Sequence, residues 1–169
     1  MLDIRYRILI LLLSLPIFVT GCTMGVAQQR TGPELSSEYE AINLAKEKVG
    51  LTDINSVELT TAGPIYRLIL GKDNTQQEKA VWVDKSIVFS INLKDGVSRH
   101  QVQEVLRQQN LDSLDQLQLI YVPDNIKNSI HSYLKKSSSN IFWWAKSSNG
   151  EVIKQIFFDF YDGSVVFES

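Results

Sequence analysis

Hydrophobic and polar positions follow two rhythms along this chain, and the rhythm changes at recognisable stop signals. Tyr39, Ile42, Ala45 and Val49 recur at helical spacing with Glu38, Lys46, Glu47 and Lys48 between them, which predicts a helix with one core face. Ser36 and Ser37 can cap its start, since a serine oxygen accepts an otherwise orphaned backbone N–H. Gly50 suits the left-handed residue just past a helix end. The period then falls to two. Val57, Leu59 and Thr61 alternate with Glu58 and Thr60, Gly63-Pro64 marks a turn, and Tyr66, Leu68 and Leu70 alternate around Arg67. A polar loop from Gly71 to Glu78 leads into Ala80-Val81-Trp82-Val83, Asp84-Lys85-Ser86 breaks the run, and Ile87 to Leu93 resumes it. The first half thus reads as a helix followed by an antiparallel meander.

Lys94-Asp95-Gly96-Val97-Ser98 closes this unit and opens another. Ser98 with Gln101 forms a capping box, and Val97 is placed to pack against Val102 as a hydrophobic staple. A helix is predicted from Arg99 to about Asn110, with Val102, Val105, Leu106 and Gln109 on or beside its buried side. Leu117, Leu119 and Tyr121 read as a strand that Pro123 stops. Ile126, Ile130, Tyr133 and Leu134 return to helical spacing, so a short inserted helix is expected before the polar loop Lys135 to Asn140. Ile141 to Ser147 and Glu151 to Tyr161 are strands joined by Asn149-Gly150, a strong hairpin signal, and Asp162-Gly163 turns the chain into Ser164–Glu168.

The amino terminus follows neither rhythm. Arg5 and Arg7 precede an almost wholly aliphatic block from Ile8 to Phe18, and Val19-Thr20-Gly21-Cys22 follows. A basic start, a short apolar middle and small residues before a cleavage point are the layout of a secretory signal. The run is about half the ~20 apolar residues a spanning helix needs. The box resembles a bacterial lipoprotein signal, in which Cys22 takes a diacylglycerol before cleavage after Gly21. Residues 1–21 are therefore expected to be a signal, and residues 22–35, which lack periodicity, a tether with a reach of about 20 Å.

Composition narrows the function classes. The chain has 17 Lys+Arg and 19 Asp+Glu; without residues 1–21 these become 15 and 18, so no basic excess invites nucleic acid. Cys22 is the single cysteine, which leaves no intrachain disulfide and no cysteine zinc site. A body of about 148 residues buries roughly 68–70% of its unfolded surface and needs no staple.

The helix-and-meander order occurs twice, and the predicted fold class is α+β, with units at residues 36–95 and 96–169 and an insertion at 123–140. Ala80-Val81-Trp82-Val83, the connector Lys94–Ser98 with its helix, Ile141–Trp144 with Asn149-Gly150, and Phe158-Asp159-Phe160-Tyr161-Asp162-Gly163-Ser164-Val165 resemble the TseB-like (YpmB-type) cell wall elongation regulators, which carry two PepSY-like (cystatin-like) units. That resemblance implies a noncatalytic extracytoplasmic regulator that binds a penicillin-binding protein during elongation. Members of the family often begin with a transmembrane helix, whereas this chain has the lipoprotein box; lipid attachment at Cys22 would hold it on the outer side of the cell membrane. The broader PepSY resemblance implies an alternative, an inhibitor or sensor of extracellular peptidases.

The residues themselves offer little chemistry. There is no Gly-x-Ser-x-Gly elbow, His-Glu-x-x-His helix or phosphate-binding glycine loop, and His100 and His131 are the only imidazoles. No cofactor or metal is expected. Asp84, Asp159 and Asp162 lie among aromatics, but at strand ends, where aspartate makes local backbone hydrogen bonds. A wall hydrolase, which would need a carboxyl pair beside a sugar cleft, is the enzymatic alternative. The aromatics say more. Strand neighbours point to opposite faces, so Trp143 and Trp144 cannot share a core. Val152, Ile156, Phe158 and Phe160 share one side of the next strand; Ile153, Phe157 and Tyr161 share the other. Either the inserted helix or the first unit covers that second face, or Trp143, Trp144, Phe157 and Tyr161 form a docking surface for a partner.

Overall fold

Helix α1 (Glu38–Val49) starts where its cap dictates: the Ser37 hydroxyl accepts the Glu40 N–H at 3.2 Å, and the Glu40 carboxylate accepts the Ser37 N–H at 2.8 Å. It ends at Gly50, whose φ of 76° is left-handed. The computed structural model describes residues 35–111, 114–130, 132, 134, 137–148 and 153–169. Cys22, the expected signal and all of the expected tether except Leu35 lie outside the described residues, as do His131, Tyr133, Asn149-Gly150 and Val152.

Strands β1 (Leu51–Leu59), β2 (Arg67–Asp73), β3 (Glu78–Val83) and β4 (Ile87–Asn92) form an antiparallel sheet in that order. A short 3-10 turn (Leu93–Asp95) leads to helix α2 (Arg99–Gln108) and strand β5 (Gln116–Tyr121). Helix α3 (Asp124–Ile130) then precedes β6 (Ile141–Ser148), β7 (Ile153–Asp159) and β8 (Val165–Glu168), and β5 to β8 form a second antiparallel sheet, again in sequence order. The predicted α+β class and doubled order are present. Among the described residues, no helix is long and apolar enough to cross a membrane.

Glu34–Ser169 forms one compact unit because the halves share a core. Tyr66, Leu68, Ala80 and Trp82 from the first half meet Leu117, Leu119, Ile141, Trp143, Ala145, Ile156, Phe158 and Phe160 from the second, with Val102 and Leu106 of α2 in the same cluster. Burial of this apolar surface is what joins the sheets. The outward face of the first sheet, with Ile69, Val81 and Val83, is covered by Ala41 and Ala45 of α1.

The structure corrects the helix faces. Tyr39 is 74% exposed rather than on the core face, whereas Ile42, Ala45 and Val49 lie on it as expected, joined by Ala41 one turn before Ala45. Val105 and Gln109 are exposed rather than buried, and α2 stops at Gln108, two residues before Asn110, whose φ is 59°. Strand β1 begins at Leu51 and ends at Leu59, with register shifts between Leu51 and Asp53 and between Ile54 and Ser56. From Ser56 on the pairing is regular, and Leu59, expected to be buried with Val57, is 46% exposed at the last position of the strand, opposite Arg67.

The α2 capping box is present, with Ser98 Oγ accepting the Gln101 N–H and Gln101 Oε1 accepting the Ser98 N–H at 2.8 Å. Ser98→Ala is expected to lower stability by about 1 kcal/mol in chemical denaturation. An unchanged midpoint would show that tertiary burial alone fixes this helix end.

Candidate functional site

The four aromatics singled out from the strand pattern do not form one open surface. Trp143 and Trp144 do point to opposite faces, and both are inside: Trp143 is 6% exposed in the core shared by the sheets, and Trp144 is 5% exposed on the other side. Phe157 is 1% exposed beside Phe142 and Phe167. Only Tyr161, half exposed at the β7–β8 turn, reaches solvent. Of the two alternatives for the second face, the structure has the cover, so Trp143, Trp144 and Phe157 are corrected from docking residues to enclosed ones. Ala62, from the loop after β1, and Ile126, Ile130 and Leu134, from the inserted segment, close over Phe142, Trp144 and Phe157.

Polar groups hold both covers in place. Lys127, itself buried, pairs with Asp124 at 2.9 Å and donates to the Ser137 carbonyl at 3.2 Å, while the Ser137 hydroxyl donates to Asp159. The Lys127 ammonium, with Asn140, keeps the Asp124 carboxyl below its usual range. On the other side, Gln118 Oε1 accepts from the Thr61 N–H and hydroxyl, and Gln118 Nε2 donates to the Leu59 carbonyl at 3.1 Å.

Space is also left between the sheets. A cleft of about 600 Å³ has a floor of Leu68 and Leu70 from β2, Leu117 and Leu119 from β5, and Trp143 from β6. The cross-strand register explains this floor. Leu119 sits opposite Trp143, and Leu68 sits opposite Glu58, so Glu58 shares the inward face of the first sheet. Lys94 and Val97 from the connector, Arg99 at the start of α2, and Gln76, Gln77 and Glu78 from the β2–β3 hairpin complete the walls. The two sheets also meet at an aromatic joint in which Tyr121 stacks on Phe89 at 4.7 Å and lies 6.1 Å from both Tyr66 and Trp82. Burial, with Tyr121 and Asp84 nearby, pushes the Tyr66 hydroxyl pKa up.

The hairpin wall is held by one carboxylate. Asp73 Oδ1 accepts the Thr75 hydroxyl at 2.6 Å, the Thr75 N–H at 2.8 Å and the Gln77 N–H at 3.1 Å, and Lys79 lies 3.1 Å from Oδ2. The Thr75 hydroxyl, helped by the Gln77 N–H and Lys79, holds the Asp73 carboxyl far below its ordinary 3.8 against an opposing desolvation cost. A depressed folded-state value stabilises fully above 3.8, and the benefit is lost as pH falls from there through the folded value. Urea unfolding of the native chain and Asp73→Asn is therefore expected to show a gap that is widest near neutral pH and narrows below 3.8. A gap independent of pH would contradict this reading.

Among the described residues, no group of three or more His, Cys, Asp or Glu converges to hold a metal ion. His100 is exposed on α2, its Nδ1 4.0 Å from Glu104. The aspartates near aromatics make local contacts: Asp84 accepts the Lys85 N–H, Asp159 the Tyr161 N–H at 2.8 Å, and Asp162 the Ser164 N–H at 2.8 Å. The cleft's lining combines apolar side chains with Glu58, Glu78, Lys94, Arg99, Ser98 and the amides of Gln76 and Gln77. Sequence patterning had marked Trp143 and Leu117, but not that the two sheets face each other across them.

No protein-family model matches the chain, and no curated protein sequence matches it. Among solved structures, the chain is similar to the YpmB protein from Bacillus subtilis, with a TM-score of 0.58 and 16% identity over 79% of this chain and 96% of that one. At that identity the likeness speaks to fold alone. The two helix-and-sheet halves joined through a common core are a YpmB-like fold.

Proposed function

We propose that the protein is a noncatalytic regulator, anchored on the outer side of the cell membrane by a lipid on Cys22, that binds a penicillin-binding protein building the wall during elongation. The observation that carries this reading is the YpmB-like fold, which adds to the TseB-like motifs at Ala80–Val83, Lys94–Ser98 and Phe158–Val165. The lipoprotein box supplies the location. Confinement to one surface raises the effective concentration of two partners, so a modest interface suffices.

Cross-linking in intact membranes, with the native chain beside Cys22→Ser, tests the proposal. The native chain is expected to recover a penicillin-binding protein, and Cys22→Ser to recover much less of it. Recovery of none by either form would overturn the reading.

A further inference from the structure

The cleft between the sheets falls within the range of roughly 300–1,000 Å³ typical of ligand pockets, and it has their usual build, an apolar floor with a few polar groups at the rim. Its rim is charged but balanced. Glu58 and Arg99 stand at the end near the start of β5, where both also border the shallow depression over Leu114 and Gln116. Glu78 and Lys94 stand at the hairpin end, next to the Lys79–Asn92 pair. None of these four closes a salt bridge among the described residues.

That balance selects the occupant. An anionic amphiphile such as a fatty acid would gain from Lys94 and Arg99 but meet Glu58 and Glu78, and a cationic one would meet the reverse. A peptide main chain presents N–H donors and C=O acceptors together, which acids, bases and the amides of Gln76 and Gln77 can all answer. Its side chains supply the apolar part. We propose that this cleft receives an extended peptide segment of a partner protein, with one large aliphatic side chain seated against Leu68, Leu70, Leu117, Leu119 and Trp143, and the main chain along the polar rim. The proposal deepens the partner-binding reading above and rests on it for the source of the segment.

A random heptapeptide library displayed on phage, panned on the full chain in detergent micelles, is the first test. Selected peptides are then titrated against methyl-labelled protein. The expected result is enrichment of a single large aliphatic position, with shifts confined to the methyls of Leu68, Leu70, Leu117 and Leu119. Affinity is expected to fall at least about tenfold in Leu70→Trp, which fills the floor, and to weaken in the surface variant Lys94→Glu/Arg99→Glu, which unbalances the rim without touching the core. Three outcomes would overturn the proposal: no enrichment, equal binding by the native chain and both variants, or decanoate displacing the peptides at lower concentration than they bind. Membrane cross-linking with Leu70→Trp separates this from the function it rests on. Undiminished recovery of the penicillin-binding protein by that variant sinks the cleft and leaves the regulator, whereas recovery by neither form sinks the regulator.

Discussion

Trp143→Ala is expected to be among the most damaging single substitutions in the chain, with a loss of about 3–5 kcal/mol in equilibrium denaturation. Two effects combine. The indole is buried where both sheets and α2 meet, so truncation leaves a cavity that flanking strands cannot collapse into. Its Nε1 also donates to the Val97 carbonyl at 2.8 Å, tying β6 to the connector that precedes α2. Trp143→Phe keeps most of the apolar volume and removes that bond, and should cost about 1 kcal/mol, the net worth of a hydrogen bond whose acceptor is only partly buried. Equal losses for Phe and Ala would show that the hydrogen bond outweighs the cavity. A loss below about 1 kcal/mol for Ala would show that the two sheets do not share a core at this point.

Gly96→Val is the second. A Cβ at Gly96 would overlap the Phe160 ring and its carbonyl oxygen, the same oxygen that accepts the Val97 N–H at 2.7 Å. The connector therefore runs against the end of β7 with no room for a side chain. Overpacking of this kind costs about 1–3 kcal/mol or more. Its cause is steric rather than conformational, because Gly96 has φ −143°, extended backbone open to any residue. Gly50→Ala provides the contrast: nothing lies within 4 Å of its Cβ position, and only its φ of 76° resists substitution. The discriminating measurement is a double-mutant cycle. Phe160→Ala should relieve part of the Gly96→Val penalty, with a coupling of about 0.5–3 kcal/mol, and should leave the Gly50→Ala penalty unchanged. Additivity at Gly96 and Phe160 would contradict the contact.

These two positions show what the chain discloses locally and what it withholds. Helix starts were legible because capping is local: Ser37 with Glu40 and Ser98 with Gln101 each satisfy their bonds within one turn. Strands were legible from alternation wherever one face is apolar, as at Leu117 and Leu119. The first part of β1, Leu51 to Ser56, was not legible, because two register shifts there turn residues away from a strict period of two. On α1 the spacing marks Ile42, Ala45 and Val49 correctly, but it misses Ala41 and wrongly includes Tyr39, because alanine carries little hydrophobic signal and yet lets a helix lie close to a sheet.

The site was least legible of all. That Trp143 and Trp144 need separate cores follows from strand geometry, but what covers each depends on contacts far apart in sequence, such as Ala62 with the inserted helix and Tyr121 with Phe89. The same holds for the cleft. Its floor comes from β2, β5 and β6, and its rim from a hairpin and a connector that no local pattern brings together.

Under the proposed function, a lipid-anchored chain would receive its partner in the cleft between the sheets. A photo-reactive amino acid installed in place of Lys94 at the rim, and separately in place of exposed Tyr39 on α1, reads this in native membranes. The expected result is an adduct with a penicillin-binding protein from the Lys94 position, lost when Leu70→Trp is added, and none from Tyr39. Adducts from the Tyr39 position with none from Lys94, or adducts from neither, would contradict the account.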